Sequence, residues 1–571
     1  MINELDKKYD AIILGGGLAG TTLALQLKQA KLDMSILVLE KRPGNAPIAG
    51  HKVGESISEL GSYYLRETLQ LKAYLTEHQL RKFGFRFFFS QNSKDNIAKR
   101  VEFGSKITDP IPAHQIDRGL FENELIKRLI DKGIDVVLGA KVKSVDLSKE
   151  GHSVHYEKDG IEMKKDGSWI IDSTGRRGFL KRKLGLEKKN EHNINAAWFR
   201  LEGEIDIDDW SDDEVWKNKV GPGKRRLATN HLMGKGYWIW IIALVSGNTS
   251  IGIVADPRYH TFDQINTFDK AINWLENNEP LAAKMLKKHN EREIDFKVMK
   301  QLAHDTKQFY STDRWGLTGD AGVFMDPFYS PGIDFIALNN SWLTELIVRD
   351  SNHEDISLRC MIYEHAQREL INGWILLYKN MYPLFGNTQI MLMKIVWDWG
   401  SYWGIPTLIF RNNGYTNIAL LKKYSARKNN IGQRFSKINE RMQKLFLGWN
   451  NFKHESYSNL HLNVFDLKCL YQFHRELDKK YTPEDLIKKI ESNLEILEQI
   501  AAEIFRLASY QVHGTSLDMP VNPFNMNIDD KREVLIEKSK ETNTFSVVQS
   551  IKTDLATIWL DQKEVTKNEY V

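Results

Sequence analysis

The first forty residues show a pattern of apolar and small positions that predicts a strand, a tight turn, a helix and a second strand. Residues 9–14 (YDAIIL) form a short apolar run that ends at three consecutive glycines, which is typical of a buried parallel strand. Residues 18–30 are small and apolar and predict a helix, and residues 35–40 (SILVLE) predict the second strand.

From this unit to about residue 350, the pattern alternates between segments typical of helices and segments typical of strands. After about residue 350 it is typical of helices. Residues 118–132 predict an amphipathic helix, residues 134–142 and 169–171 predict strands, and residues 195–255 alternate as strands do. Residues 483–510 place apolar side chains at helical spacing. The pattern therefore predicts an α/β core against which a large, all-helical C-terminal region packs.

The composition is that of an ordinary globular protein. Of the 571 residues, 42% are hydrophobic, and a net charge of +4 is too small to indicate nucleic-acid binding. Two cysteines, Cys360 and Cys469, exclude a disulfide scaffold or a cysteine-rich zinc module and favour a reducing compartment. Residues 237–245 are too short an apolar run to span a bilayer, and the N-terminal segment does not resemble a secretory signal. We expect a cytoplasmic protein with no membrane span and no metal site.

The glycine turn has the spacing of a dinucleotide-binding motif. Gly15, Gly17 and Gly20 follow the first predicted strand and open the helix, and Glu40 ends the next strand. Glycines allow the backbone to approach a pyrophosphate, whose charge is stabilised by the positive N-terminus of the helix. Glu40 is expected to accept hydrogen bonds from the adenosine ribose.

Two later segments favour FAD over NAD. Residues 172–176 (DSTGR) and 319–322 (GDAG) each follow a predicted strand, and with the glycine turn they resemble the FAD-binding fold of the aromatic hydroxylases. The resemblance implies that Asp320 contacts the ribityl chain and that Arg118, within QIDRGLFENEL, contacts the flavin. It also implies a single FAD site, since no second glycine motif follows a strand.

Three further segments resemble the flavin-dependent halogenases. The FxxPxxSxG pattern of that family is matched at Phe324, Pro327, Ser330 and Gly332. Its WxWxIP pattern is matched in part, because Ala243 stands where proline is usual; the matching residues are Trp238, Trp240 and Ile242.

The reactive lysine of the family corresponds to Lys82, which follows a Gly-Glu-Ser turn at residues 54–56 and precedes Phe83-Gly84-Phe85. The resemblance covers about residues 5–345, whereas the helical tail has only a general likeness. Without it, Lys82 would be interpreted as an ordinary surface charge, and Trp238 and Trp240 as one packed face of a strand.

The resemblance implies an FAD-dependent oxidoreductase that halogenates an electron-rich aromatic compound. In the family's mechanism reduced FAD and oxygen convert chloride or bromide into hypohalous acid, and the resemblance implies that Lys82 delivers the halogen, since burial favours the neutral, nucleophilic amine. It also implies that Trp238 and Trp240 screen the flavin and that Ser330 lies in the turn beside it. A separate NAD(P)H-dependent flavin reductase is the implied partner, and the small aromatic substrate is free or tethered to a carrier protein.

Two departures from the family pattern refine this expectation. Tyr329 stands where the tryptophan-halogenating branch has a glutamate, which favours phenols or pyrroles, whose rings need no carboxylate to activate them. Pro331 lacks a backbone N–H near the expected halide site and leaves Gly332 as the donor.

The expected fold is Rossmann-like, with three parts. Residues 1–190 and 300–350 form a discontinuous FAD-binding domain of the aromatic-hydroxylase type, residues 191–299 form a mixed β-sheet domain on the substrate side, and residues 351–571 form the helical region.

Two alternatives stay open at the level of sequence. A flavin-dependent monooxygenase or hydroxylase with a halogenase-like frame is supported by Ala243 and Pro331. A flavin-binding protein whose helical tail docks a carrier protein or lipid is supported by the aromatic segment 397–403 (WDWGSYW), although we interpret this segment as helix packing or a substrate-pocket wall.

Overall fold

The computed structural model describes residues 7–49, 52–90, 93–289, 292–425, 430–452, 454, 460–514, 521–528 and 545–558. In these residues the strands are β1 (Lys8–Leu14), β2 (Ile36–Glu40), β3 (Leu80–Arg81), β4 (Phe85–Phe89), β5 (Val101–Gly104), β6 (His114–Gln115), β7 (Asp135–Leu138), β8 (Lys141–Asp146), β9 (His152–Lys158), β10 (Ile161–Asp172), β11 (Glu187–Lys188), β12 (Asn195–Leu201), β13 (Thr229–Gly234), β14 (Tyr237–Ala243), β15 (Thr249–Ala255), β16 (Glu293–Met299), β17 (Asp305–Thr306), β18 (Tyr310–Ser311), β19 (Trp315–Leu317) and β20 (His461–Asn463).

The α-helices of the same residues are α1 (Leu18–Ala30), α2 (Glu59–Tyr63), α3 (Lys72–His78), α4 (Arg118–Asp131), α5 (Phe179–Lys183), α6 (Glu214–Asn218), α7 (Phe268–Asn278), α8 (Pro280–Lys287), α9 (Gly332–Ser351), α10 (Ser357–Leu376), α11 (Thr388–Tyr402), α12 (Leu408–Arg411), α13 (Ile418–Tyr424), α14 (Ile431–Trp449), α15 (Lys468–Glu476), α16 (Pro483–His513) and α17 (Phe545–Ile558). The fold is mixed α/β with a helical C-terminal region, as predicted.

The first sheet has the strand order β18-β19-β10-β1-β2-β7, and β1 pairs in parallel with both β10 and β2. Because parallel strands end at the same edge, the turns that follow β1, β10 and β19 meet there. These turns contain the glycine motif, residues 173–176 and Gly319-Asp320, so the three predicted flavin-binding segments come together.

One predicted strand is wrong in its extent. Residues 134–142 form the short strand β7 and the start of β8 rather than one strand, because Gly139 between them has a φ of +79° and breaks the extended backbone. The predicted helix at 118–132 and the helical pattern at 483–510 are confirmed as α4 and as part of α16.

The second sheet has the order β16-β12-β15-β14-β13-β4-β5-β20. Two of its strands, β4 and β5, lie within residues 85–104, in the segment predicted to belong to the FAD-binding domain. Its edge strand β20 lies in the region predicted to be helical. Every residue of β4 is buried, as expected of a central strand covered on both faces. The three-part domain division stays a prediction, and one hydrophobic core runs through the first sheet, the second sheet and the helices.

Among the described residues, no helix is both long enough and apolar enough to cross a membrane.

Candidate active site

One large cavity, with a volume of about 590 Å³, opens where the turns of the first sheet face the second sheet. This volume lies within the range typical of cofactor pockets. Most of the predicted site residues line it: Gly15, Gly17, Glu40, Arg118, Trp238, Trp240, Asp320, Ser330 and Gly332. Gly20 and Lys82 do not line the cavity but lie behind its wall.

The three motif glycines have different local roles. Gly15 has a φ of +107°, which favours glycine, and a Cβ on Gly20 would lie 2.1 Å from the Gly15 carbonyl oxygen. Gly20 is therefore required for close packing of α1 against the turn. A Cβ on Gly17 would instead meet only Lys52 Nζ, at 3.0 Å, so Gly17 keeps space open beside the helix N-terminus.

Glu40 holds the glycine turn as well as lining the cavity. Its carboxylate accepts hydrogen bonds from the backbone N–H of Gly16 at 2.6 Å and from that of Arg42 at 2.8 Å. These bonds orient the carboxylate at the end of β2, where its remaining lone pairs can accept from ribose hydroxyls.

Arg118 belongs to a charge cluster at the cavity wall, in which Glu122 is buried and Lys52, a residue that the sequence analysis missed, is partly exposed. Arg118 donates to the Val53 carbonyl at 2.7 Å and to Glu122 Oε1 at 2.6 Å, and Lys52 Nζ lies 2.8 Å from Glu122 Oε2. Burial of Glu122 raises the pKa of its carboxyl group, but the charges of Arg118 and Lys52 outweigh this effect and lower the pKa to about 2. Both cations are thereby held at the cavity wall near Gly17 and Gly54.

The FxxPxxSxG turn is strained. Tyr329 and Ser330 have φ values of +67° and +59°, which residues with a Cβ rarely adopt, and they lie directly before α9. Asp326 supports the turn, because its Oδ1 accepts from the Phe328 N–H at 2.9 Å, and its Oδ2 lies 2.7 Å from both His192 Nε2 and the Tyr382 hydroxyl.

The two tryptophans of β14 face the cavity from the second sheet. Trp238 donates its indole N–H to the Tyr382 hydroxyl at 3.0 Å, and Trp240 donates to Ser250 Oγ at 3.1 Å. Their ring centroids are 5.7 Å apart. Trp238, Trp240 and Ile242 belong to the core on the cavity side, and the residues between them belong to the opposite core, as the period of two predicts.

Lys82 is only 1% exposed, contrary to the default interpretation as a surface charge. Its Nζ donates to Ser56 Oγ at 3.0 Å and to the Ile57 carbonyl at 3.2 Å. Burial lowers the pKa of Lys82 to about 7. A large fraction of the amine is therefore neutral near pH 7.

Ser56 connects the lysine to the cavity wall. Its Oγ lies 3.0 Å from Ser330 Oγ and 2.8 Å from Thr229 Oγ1, and all three serine and threonine residues line the cavity. A hydroxyl has one proton and two lone pairs, so Ser56 can accept from Lys82 and Ser330 while it donates to Thr229.

The comparisons with known proteins agree with this geometry. The sequence model of the tryptophan halogenase family matches residues 69–359, more than half of the chain. The chain belongs to the tryptophan halogenase family. It is 28% identical over 436 residues to flavin-dependent halogenase chlA of Dictyostelium discoideum, covering 71% of each chain.

A second relative is the 1H-pyrrole-2-carbonyl-(peptidyl-carrier protein) chlorinase of Pseudomonas fluorescens. It is 25% identical over 409 residues, covering 66% of this chain and 85% of that protein. Among solved structures, the halogenase PltM superposes with a TM-score of 0.60 at 17% identity, covering 85% of this chain and 97% of that chain, which shows the shared fold. This member of the family is an FAD-dependent halogenase that uses halide as a co-substrate, and the monooxygenase alternative is not favoured.

The cavity of this halogenase suits FAD. Gly17 leaves room for a pyrophosphate, Asp320 is exposed to the cavity, and the first turn of α9 directs backbone N–H groups toward it. A Cβ on Gly332 would meet no atom within 4 Å, so space is open at this position beside Pro331. The individual roles assigned to these residues stay predictions.

The residue in place of the family glutamate is turned toward the helical region. The Tyr329 hydroxyl donates to Asp398 Oδ2 at 3.1 Å, and burial raises the pKa of Tyr329. Asp398 in turn pairs with Lys394 at 2.8 Å. Tyr329 therefore anchors the strained turn to α11 and supplies no carboxylate.

Glu55, the middle residue of the Gly-Glu-Ser turn, has a buried carboxylate to which the sequence analysis assigned no role. It accepts from Arg200 Nε at 2.9 Å and from Ser250 Oγ at 3.2 Å, and Ser250 also holds Trp240. Glu55 thereby links the Gly-Glu-Ser turn to the second sheet. His231, another cavity residue that the sequence did not single out, is kept neutral because burial lowers its pKa to about 3.

We expect Glu55→Ala to destabilise the protein, because Arg200 is fully buried and, among the residues that the structure describes, would keep only Asp295 as an ionic partner. Removing one member of a buried pair costs about 3 kcal/mol or more, which urea denaturation followed by tryptophan fluorescence would measure. Glu214→Ala, which breaks an exposed pair with Lys217, is the control and should leave the midpoint unchanged. An equal, small effect of both variants would contradict the structural role of Glu55.

Proposed function

We propose that this halogenase transfers halogen to a phenol or a similarly electron-rich ring through Lys82. The observation that supports it best is the buried, readily deprotonated Lys82 amine, connected through Ser56 to Ser330 at the wall of the cavity. An amine with a pKa near the working pH is available both as a nucleophile and as a proton carrier.

When bound, reduced FAD together with oxygen supplies the oxidising equivalent that turns halide into hypohalous acid. Gly17, Glu40, Arg118 and Asp320 would hold it, and Gly332 would donate its N–H toward the halide. Trp238 and Trp240, fixed by their indole hydrogen bonds, would keep the organic substrate away from the flavin.

Lys82 performs the next step. Its neutral amine attacks the halogen of hypohalous acid, the halogen–oxygen bond breaks, and a haloamine and water result. The chain of hydroxyls from Ser330 to Ser56 ends 3.0 Å from the amine and supplies polar partners along this route. The ring then takes the halogen from Lys82.

The proposed substrate class is supported by the residue that the motif turn carries in place of a glutamate. Tyr329 replaces the carboxylate that an unactivated indole carbon would need, and phenols and pyrroles are already electron-rich. Relatives are named for pyrroles bound to a carrier protein, and PltM was crystallised with phloroglucinol, a phenol, and FAD. These names support a phenol or pyrrole but leave both free and carrier-bound substrates as candidates.

The substrate class is tested by supplying reduced FAD, oxygen and bromide with a panel of free phenols, free tryptophan and a carrier-tethered pyrrole. We expect bromination of free phenols and little or none of tryptophan at a benzo-ring carbon. Bromination confined to the tethered pyrrole would contradict a free phenol, and preferential bromination of tryptophan at a benzo-ring carbon would contradict the inference from Tyr329.

The flavin is expected to be reduced by a separate enzyme, because the sequence has one dinucleotide motif. NADH or NADPH alone should therefore leave the bound FAD oxidised for minutes in a stopped-flow absorbance experiment. Addition of an unrelated flavin reductase should start turnover. Rapid bleaching by either nicotinamide nucleotide without a reductase would contradict the two-component arrangement.

A further inference from the structure

A buried group of titratable side chains lies beside Lys82 but outside the cavity lining. It consists of Glu59 at the start of α2, Asp109 in the loop after β5, and His474 in α15; we call it the buried triad. Their ligand atoms all lie within 4.8 Å of one another, and the three residues are 5%, 5% and 0% exposed.

Several polar atoms of the buried triad lack a partner among the described residues. Asp109 Oδ1 and both ring nitrogens of His474 make no hydrogen bond, and His474 Nε2 is 3.7 Å from Glu59 Oε1, too long for one. Burying such groups without partners opposes folding, so sites of this kind are found where a function requires them.

The two carboxylates of the buried triad act electrostatically on Lys82. Burial lowers the pKa of Lys82, and the charges of Glu59, Asp109 and Asp334 oppose this effect. Asp334 is already occupied by Ser58, the Gly61 N–H and the Tyr402 hydroxyl, whereas Asp109 keeps one oxygen available.

Aromatic rings connect the lysine to the buried triad. Lys82 Nζ lies 3.2 Å from the centroid of the Phe85 ring, which is 6.1 Å from Trp399. Trp399 is 5.4 Å from Trp403, whose centroid is 4.7 Å from that of His474. These aromatic side chains could pack against an aromatic substrate, and the neighbouring triad could accept the proton that such a ring loses.

We propose that the buried triad carries the proton that must move when the halogen passes from Lys82 to the ring. The inference rests on the proposed role of Lys82. The nitrogen–halogen bond breaks as a carbon–halogen bond forms, and the electron pair left on nitrogen takes a proton from the triad, which regenerates the neutral amine. The ring carbon then releases its proton to the triad, and the C–H electron pair restores aromaticity.

This cycle consumes no additional reagent, since one proton leaves the triad and one returns. Burial raises the pKa of Asp109 to about 6, so that both protonation states are accessible near neutral pH. The assignment also gives the C-terminal helices a chemical role, because α15 supplies His474.

Two single variants and a matched control test the proposal in the full-length protein. Asp109→Asn and His474→Gln remove the proton-transfer capacity at two different elements. His461→Gln is the control, because the His461 side chain is also buried, lies 3.6 Å from Glu102 Oε1 and makes no hydrogen bond among the described residues. Burial lowers the pKa of His461 to about 4.

Each protein is first treated with reduced FAD, oxygen and bromide, and a phenol is then added. The bromine on the Lys82 peptide and the bromophenol are followed in time by mass spectrometry. We expect normal loading of Lys82 in all proteins, about 100-fold slower transfer in Asp109→Asn and His474→Gln, and the wild-type rate in His461→Gln.

Transfer at the wild-type rate from both triad variants would overturn the proposal. A stoichiometric metal ion in the wild-type protein that is lost in His474→Gln would also overturn it, because a cation would occupy the lone pairs. If bromophenol forms while no protein carries bromine on Lys82, the proposed role of Lys82 fails, and this inference fails with it.

Discussion

Lys82→Met is expected to lower aromatic halogenation by about 1,000-fold or more while leaving the flavin chemistry intact. Methionine fills the same buried space beside Phe85 but cannot form a haloamine. The glycine turn, Asp320 and the FxxPxxSxG turn do not need the amine, so FAD binding and oxygen consumption should stay within about twofold of the wild type. Product analysis by chromatography and oxygen uptake by electrode would measure the two activities.

Lys82→Arg separates charge from nucleophilicity. A guanidinium remains protonated and cannot take halogen as a neutral amine does, so this variant should also lose ring halogenation although it keeps a cation. Halogenation at the wild-type rate and position in either variant would leave Lys82 as a structural residue.

Gly17→Leu is expected to weaken FAD binding by at least about 100-fold, or about 3 kcal/mol. The Cβ of residue 17 points to open space near Lys52 Nζ, so a leucine would extend into the space that we assign to the pyrophosphate without displacing the turn. Equilibrium titration followed by flavin fluorescence measures this loss. Gly373→Leu in α10, where a Cβ meets no atom within 4 Å, is the matched control and should bind FAD normally.

Gly20→Ala should fail for a different reason. Its Cβ would lie 2.1 Å from the Gly15 carbonyl oxygen and 2.5 Å from Ser173 Oγ, so the turn itself must move. This variant should lose thermal stability as well as FAD binding, whereas Gly17→Leu should keep its melting temperature. Normal FAD binding by Gly17→Leu would contradict the assignment of the glycine turn to the cofactor.

The strand–turn–helix–strand geometry of the glycine motif was predictable because its signals are local. Gly15, Gly17, Gly20 and Glu40 follow from the spacing of a strand, a turn, a helix and a strand, and α1 has the predicted bounds. The limits of such reasoning appear at residues 134–142, where one glycine divides a predicted strand in two.

The environment of Lys82 could not be predicted from local patterns. Its burial and its hydrogen bonds depend on the approach of Ser56 and Ser330, which are remote in the sequence. The same applies to Glu59, Asp109 and His474, which come from three separate elements. The sequence around a single histidine in an amphipathic helix, such as His474 in α15, does not indicate that it lies beside Glu59 and Asp109.

The pairing of β4 and β5 with the second sheet was missed for a related reason. The segment FRFFF is apolar enough to be a strand, but the partner that joins it and β5 to the rest of the sheet is β13, more than a hundred residues away. An apolar run indicates that a strand is buried, but it does not indicate which sheet the strand belongs to.

The most direct test of the account is the fate of oxygen and halide in a single product. The protein is incubated with reduced FAD, a phenol and ¹⁸O₂, with and without bromide, and the product is analysed by mass spectrometry. We expect a product that shows the bromine isotope pattern, carries no ¹⁸O and is absent without bromide. A product that gains ¹⁸O whether or not bromide is present would contradict halogenation and identify a hydroxylase.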